Sequence, residues 1–185
     1  ESRQHTAIFT ALDKVASTWD DLPPEVRREL ERRLKKKEKR NEDFKPGKSK
    51  EIFHGSSQRI EKFRGIPHYL ADDAAVVFGT PDRGMALTHL ARWTDDDFEQ
   101  FRINDGPLTM REKYPGALEK SYRGKKGYVY KLDPESFEYS PRLMRSERIS
   151  KSDPSILDAE EIADALKALE ESDVQLVRAR DKSPH

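Results

Sequence analysis

Glu51-Ile52-Phe53-His54-Gly55-Ser56-Ser57-Gln58-Arg59-Ile60, answered further on by Ala74-Ala75-Val76-Val77-Phe78-Gly79-Thr80-Pro81-Asp82, is the stretch on which the fold turns. Each half is a short apolar run closed by a turn of small residues. Ile52 and Phe53 have the β-branched and aromatic content of a strand, and His54-Gly55-Ser56-Ser57 ends it. Ala74 to Phe78 is a continuous apolar run, and Arg83 to Trp93 follows as a helical pattern with Met85, Ala86, Leu90 and Trp93 on one side. The expectation is strand, turn, helix. Strands of one sheet lie about 4.8 Å apart, so the two turns can flank one cleft. Glycine after His54 lets another group approach the main chain closely.

Outward from this stretch, composition bounds the possibilities. The chain has 185 residues, with 34% hydrophobic and 38% charged, so part of it is heavily solvated and the core is concentrated in the remainder. Basic and acidic residues balance at 35 each, which gives no global attraction to nucleic acid or anionic membranes. Cysteine is absent, excluding disulfides, cysteine-ligated metals and a thiol nucleophile. No apolar run approaches the roughly 20 residues that span a bilayer, so a cytoplasmic location, in the producing or a target cell, is expected. The first residue is Glu1, which reads as a processed product or a segment of a longer polypeptide.

Upstream, Thr6 to Trp19 places Ile8, Leu12, Val15 and Ala16 at amphipathic helical spacing. Asp20 to Pro24 breaks it, and a second helix starts at the prolines. Between Arg27 and Arg40 it carries nine Lys or Arg against three Glu. Either a nucleic-acid or partner-binding arm or a solvated connector explains that bias. Lys45 to Lys50 reads as a flexible linker, dividing residues 1–44, a helical arm, from residues 45–185, an α+β domain.

Downstream, Asn104-Asp105-Gly106-Pro107 is a turn signal, and Leu108 to Lys113 is a short strand or helix. Gly127 to Leu132 is the best strand of the second half. Phe137 to Tyr139 and Arg145 to Ser150 are weaker strand candidates, and Val174 to Val177 is a closing one. Asp158 to Glu171 reads as a helix capped by Asp158, with Ile162, Leu166 and Leu169 buried. Short strands without regular βαβ units predict α+β architecture with a split, twisted, mostly antiparallel sheet preceded by a helical segment. The five histidines show no metal-ligand spacing, so no metal site is expected.

The three motifs His54-Gly55-Ser56, Val76 to Thr80 and Ser146-Glu147-Arg148-Ile149-Ser150 resemble, in order and spacing, the His…Tyr…Glu signature of ADP-ribosyltransferases of the diphtheria-toxin and poly-ADP-ribose-polymerase type. The resemblance covers roughly residues 50–177, with Phe78 where that family has tyrosine. It implies an NAD-dependent mono-ADP-ribosyltransferase or NAD glycohydrolase, of the kind found in toxin and phage-type effector domains, with NAD as substrate and release of nicotinamide. It further implies that His54, Gly55, Ser56, Phe78, Thr80 and His89 bind NAD and that Glu147 is catalytic together with His54. Glu138 and Glu112 are alternatives to Glu147. A macromolecular acceptor, protein or nucleic acid, is implied as partner, and the N-terminal helices are expected to contact a partner chain or further domain. A catalytically silent module of the same fold is the second reading; nucleic-acid binding through the basic helix is the third.

Overall fold

The computed structural model describes residues 19–180. The helix expected over Thr6 to Trp19 lies outside them except for Trp19. Among the described residues are four α-helices and nine strands in three small, mostly antiparallel sheets. The chain forms two compact units. The first comprises residues 19–54, 61–82 and 131–158, and the second 55–60, 83–130 and 159–180.

In the first unit, helix α1 (Pro24–Asn41) begins with proline in its first turn, where a missing N–H costs nothing. Glu25 lies at its positive end and Lys39 and Arg40 at its negative end, which suits the dipole. It is not a solvated connector: Val26, Leu30 and Leu34 are buried with Leu22 and Tyr69, and Trp19 packs edge-on to Tyr69 at 5.6 Å. Burial of aliphatic side chains is worth about 1.5–3 kcal/mol each, far more than the exposed Glu29–Arg32–Arg33 ion pairs. Buried Asn41 ends the helix, donating from Nδ2 to the carbonyls of Pro141 and Leu143, both at 3.2 Å.

Strand β1 (Ile52–Ser56) is followed by β2 (Ile66–Pro67) and β3 (Ala75–Gly79). Strand β3 is the middle of a three-stranded antiparallel sheet, β2-β3-β7, where β7 is Arg148–Ser150. The register sets Val77 opposite Ser150, Phe78 opposite Ile149 and Gly79 opposite Arg148. A further antiparallel bridge joins Phe53 to Thr80, with paired backbone bonds of 2.7 and 2.9 Å. Val76, Leu143 and Ile149 form the core beneath. Phe137 to Tyr139 contributes no full strand, only a bridge from Glu138 to Ile149.

The second unit contains helix α2 (Arg83–Thr88), shorter than the pattern to Trp93 predicts, since the chain turns after Thr88. Strands β4 (Phe98–Phe101) and β5 (Thr109–Glu112) follow, then α3 (Ala117–Tyr122). Asn104 and Asp105 both adopt positive φ at the predicted turn between β4 and β5. Strand β6 (Gly127–Leu132) has the bounds that its sequence predicts. The segment Asp158 to Glu171 departs from expectation. Its first part belongs to β8 (Ile156–Ile162), and α4 (Ala165–Glu170) is capped by Asp164, which accepts from Leu166 and Lys167 N–H at 3.0 and 3.2 Å. Strand β9 (Gln175–Val177) runs parallel to β5, in the order β4-β5-β9. The third sheet has the order β1-β6-β8.

Candidate functional site

His54, Phe78 and Glu147 lie on laterally connected segments of the first unit. β1 reaches β3 through the Phe53–Thr80 bridge, and β3 pairs with β7. His54 therefore follows a residue bonded to Thr80, and Glu147 precedes Arg148, the partner of Gly79.

His54 is half-buried, and its Nδ1 lies 2.8 Å from the carbonyl oxygen of Phe78. A carbonyl only accepts, so Nδ1 carries the proton and Nε2 presents a lone pair. Burial holds the imidazole below its ordinary pKa of 6.5, and the bond to Phe78 offsets part of that shift. The ring is neutral at pH 7 and packs edge-on to Phe63 at 4.8 Å. The Phe78 ring meets His68 edge-on at 4.9 Å, and His68 stacks on Tyr69 at 4.6 Å. His54, Phe63, His68, Tyr69 and Phe78 thus form a chain of aromatic contacts linked through the Phe78 carbonyl. The G-I-P-H-Y-L run carries His68 and Tyr69; Phe63 has no motif to flag it.

Thr80 is buried, and its Oγ1 accepts from Asp82 N–H at 3.1 Å, closing the turn after β3. Glu147 is partly buried, and its Oε2 accepts from Met144 N–H at 2.8 Å across the turn before β7. Of the alternatives, Glu138 is exposed and pairs with Lys151 at 2.9 Å.

The other expected site residues belong to the second unit. Gly55 is required by close packing: a Cβ there would stand 1.8 Å from the Ala86 carbonyl oxygen, so the group that approaches this main chain is α2 itself. Ser56 Oγ accepts from Gln58 N–H at 3.1 Å. His89 is exposed in the turn after α2, its N–H donating to the Ala86 carbonyl at 3.1 Å. Glu112 is buried, its two oxygens accepting from Leu118 N–H at 2.8 Å and Ala179 N–H at 2.9 Å. That carboxylate serves the fold.

Among the described residues, no group of three or more His, Cys, Asp or Glu could hold a metal ion, and no helix is long and apolar enough to cross a membrane. No protein-family model matches the chain, and neither a curated protein nor a solved structure matches it significantly.

Proposed function

We propose that the protein is an NAD-dependent ADP-ribosyltransferase or NAD glycohydrolase whose chemistry is carried by His54, Phe78 and Glu147. One observation supports the reading most: the three segments bearing these residues are adjacent in the first unit, joined by the Phe53–Thr80 bridge and the β3–β7 pairing. In this reading the Nε2 lone pair of His54 accepts a hydrogen bond from a ribose hydroxyl. The neutral ring suits that task, since a protonated imidazole could only donate. The Phe78 ring offers an apolar face to nicotinamide.

The glycosidic bond between nicotinamide and ribose breaks, and nicotinamide leaves neutral with the bonding pair. Positive charge then develops on the ribose, where the Glu147 carboxylate stabilises it. An acceptor, or water, adds at the same carbon and loses a proton. Glu147→Gln would keep the shape and remove the charge, so binding of NAD is retained while nicotinamide release falls about 10²–10³-fold. Release measured with wild type and variant tests the assignment; undiminished release by Glu147→Gln removes Glu147 from the mechanism.

The catalytically silent module is the second reading, favoured by the engagement of Phe78 with His68 and of Glu147 with Met144 N–H. NAD binding without nicotinamide release by the wild type would decide for it.

A further inference from the structure

A cavity of about 200 Å³ in the first unit is lined by residues 46–49 and by Ile52, Phe137, Glu138, Tyr139 and Arg148. Three features of the lining are left over by the fold. Arg148 is only 7% exposed, and its hydrogen bonds both run from Nη1, to the carbonyls of Arg145 at 2.8 Å and Glu147 at 2.7 Å. Its charge meets no carboxylate among the described residues, only the Tyr139 ring, whose centroid lies 5.4 Å from Cζ. The Nε–H and both Nη2–H donors remain, the edge of the guanidinium that forms a planar fork matching two oxygens of an oxyanion. Secondly, the Tyr139 hydroxyl is buried with no hydrogen-bond partner. Such an orphan is destabilising unless something else satisfies it.

Thirdly, a Cβ on Gly47 would meet nothing within 4 Å, so no packing requires a glycine there and the main chain lies open. Ser49 supplies a hydroxyl and Lys48 an ammonium paired with Glu135. The one carboxylate in the lining, Glu138, is taken up by Lys151.

We propose that this cavity binds a small phosphorylated ligand, its phosphoryl oxygens held by the Nε/Nη2 edge of Arg148 and by the hydroxyls of Tyr139 and Ser49. A carboxylate has two oxygens and would leave part of this donor set idle; a phosphoryl group has three. The volume is below the roughly 300–1,000 Å³ of pockets that enclose drug-sized ligands, so the occupant is a phosphate with a small substituent rather than a dinucleotide. The site is therefore independent of the NAD reading.

Inorganic phosphate is the probe, titrated calorimetrically and by thermal unfolding into the full chain, with chloride at matched ionic strength and acetate as controls. Saturable binding of phosphate that raises the unfolding midpoint, with acetate weaker, is expected. Tyr139→Phe removes only the orphaned hydroxyl and folds as the wild type does, yet weakens the phosphate dissociation constant by about tenfold, as loss of a hydrogen bond to a charged ligand does. Arg148→Lys keeps the charge, loses the fork and weakens it at least as much. Absence of phosphate-specific binding, acetate binding as tightly as phosphate, or an unchanged constant in Tyr139→Phe would overturn the proposal.

Discussion

Glu112 in the second unit and Arg148 in the first are both buried charges on short strands, 5% and 7% exposed. Glu112 is closed on both oxygens by backbone N–H groups. Arg148 is closed on one nitrogen and keeps a donor edge beside a cavity. The same contrast holds for two glycines. Gly55 is filled to contact by Ala86, and Gly47 faces open space. A buried charge satisfied from all sides is part of the scaffold; one satisfied from a single side has capacity for something outside the chain.

Removing the closed charge should have the largest effect. Glu112→Ala orphans one buried and one part-buried N–H group and is expected to cost about 3 kcal/mol in urea unfolding, with Glu112→Gln milder because one acceptor survives. A loss below about 0.5 kcal/mol would mean that Glu112 is no scaffold element.

Gly55→Ala comes next. Its Cβ meets backbone rather than a yielding side-chain tip, so β1 or α2 must shift, at about 2 kcal/mol by the usual cost of overpacking. Gly47→Ala is expected to change stability by less than about 0.5 kcal/mol, as surface substitutions do. Equal effects at the two glycines would contradict the distinction between filled and open positions.

His54 is a third group held by burial, and it responds to pH. Its folded-state pKa lies below the unfolded value near 6.5, so the unfolded chain takes up this proton first as the solution is acidified. The stability it contributes is complete above that value and is lost as pH falls through the folded-state pKa. Unfolding free energies measured from pH 7.5 downward should decline less steeply for His54→Gln than for wild type; identical slopes would mean that His54 is not held neutral by burial. Smallest is Tyr139→Phe without phosphate, expected neutral or slightly stabilising, because the hydroxyl removed has no partner.

The sequence is informative where local pattern and tertiary environment agree. Gly127 to Leu132 alternates, is aromatic and β-branched, and forms a strand with those bounds. The basic helix is marked by Pro23, Pro24 and its dipole-matched ends, yet its burial is not, because Tyr69 is remote in sequence. Asp158 to Ile162 fails for the opposite reason: Asp-Ala-Glu-Glu has helical propensity, and only pairing in the order β1-β6-β8 makes it a strand. The N-cap placed at Asp158 belongs at Asp164 instead.

Of the candidate site, the proximity of His54 to Phe78 is legible in the two apolar runs. His54 lies inside β1, however, which continues to Ser56, rather than in a turn that ends the strand after Phe53. The hydrogen bond from the imidazole to the Phe78 carbonyl is not legible, since backbone acceptors leave no sequence trace. The cavity was hidden entirely. Lys45 to Lys50 reads as a linker by composition, and nothing local to Ser146–Ser150 marks Arg148 as buried; the Gly79–Arg148 pairing sets it in the sheet. The usable signal was the alternation Arg148-Ile149-Ser150, which turns the arginine away from the face that Ile149 buries in the core.

Whether Glu147 stabilises a ribosyl cation is decided by nicotinamide release from NAD by wild type and Glu147→Gln, with NAD binding measured on both by calorimetry. Comparable binding and release about 10²–10³-fold slower in the variant are expected. Absence of NAD binding by the wild type, or equal release by both proteins, would contradict that role.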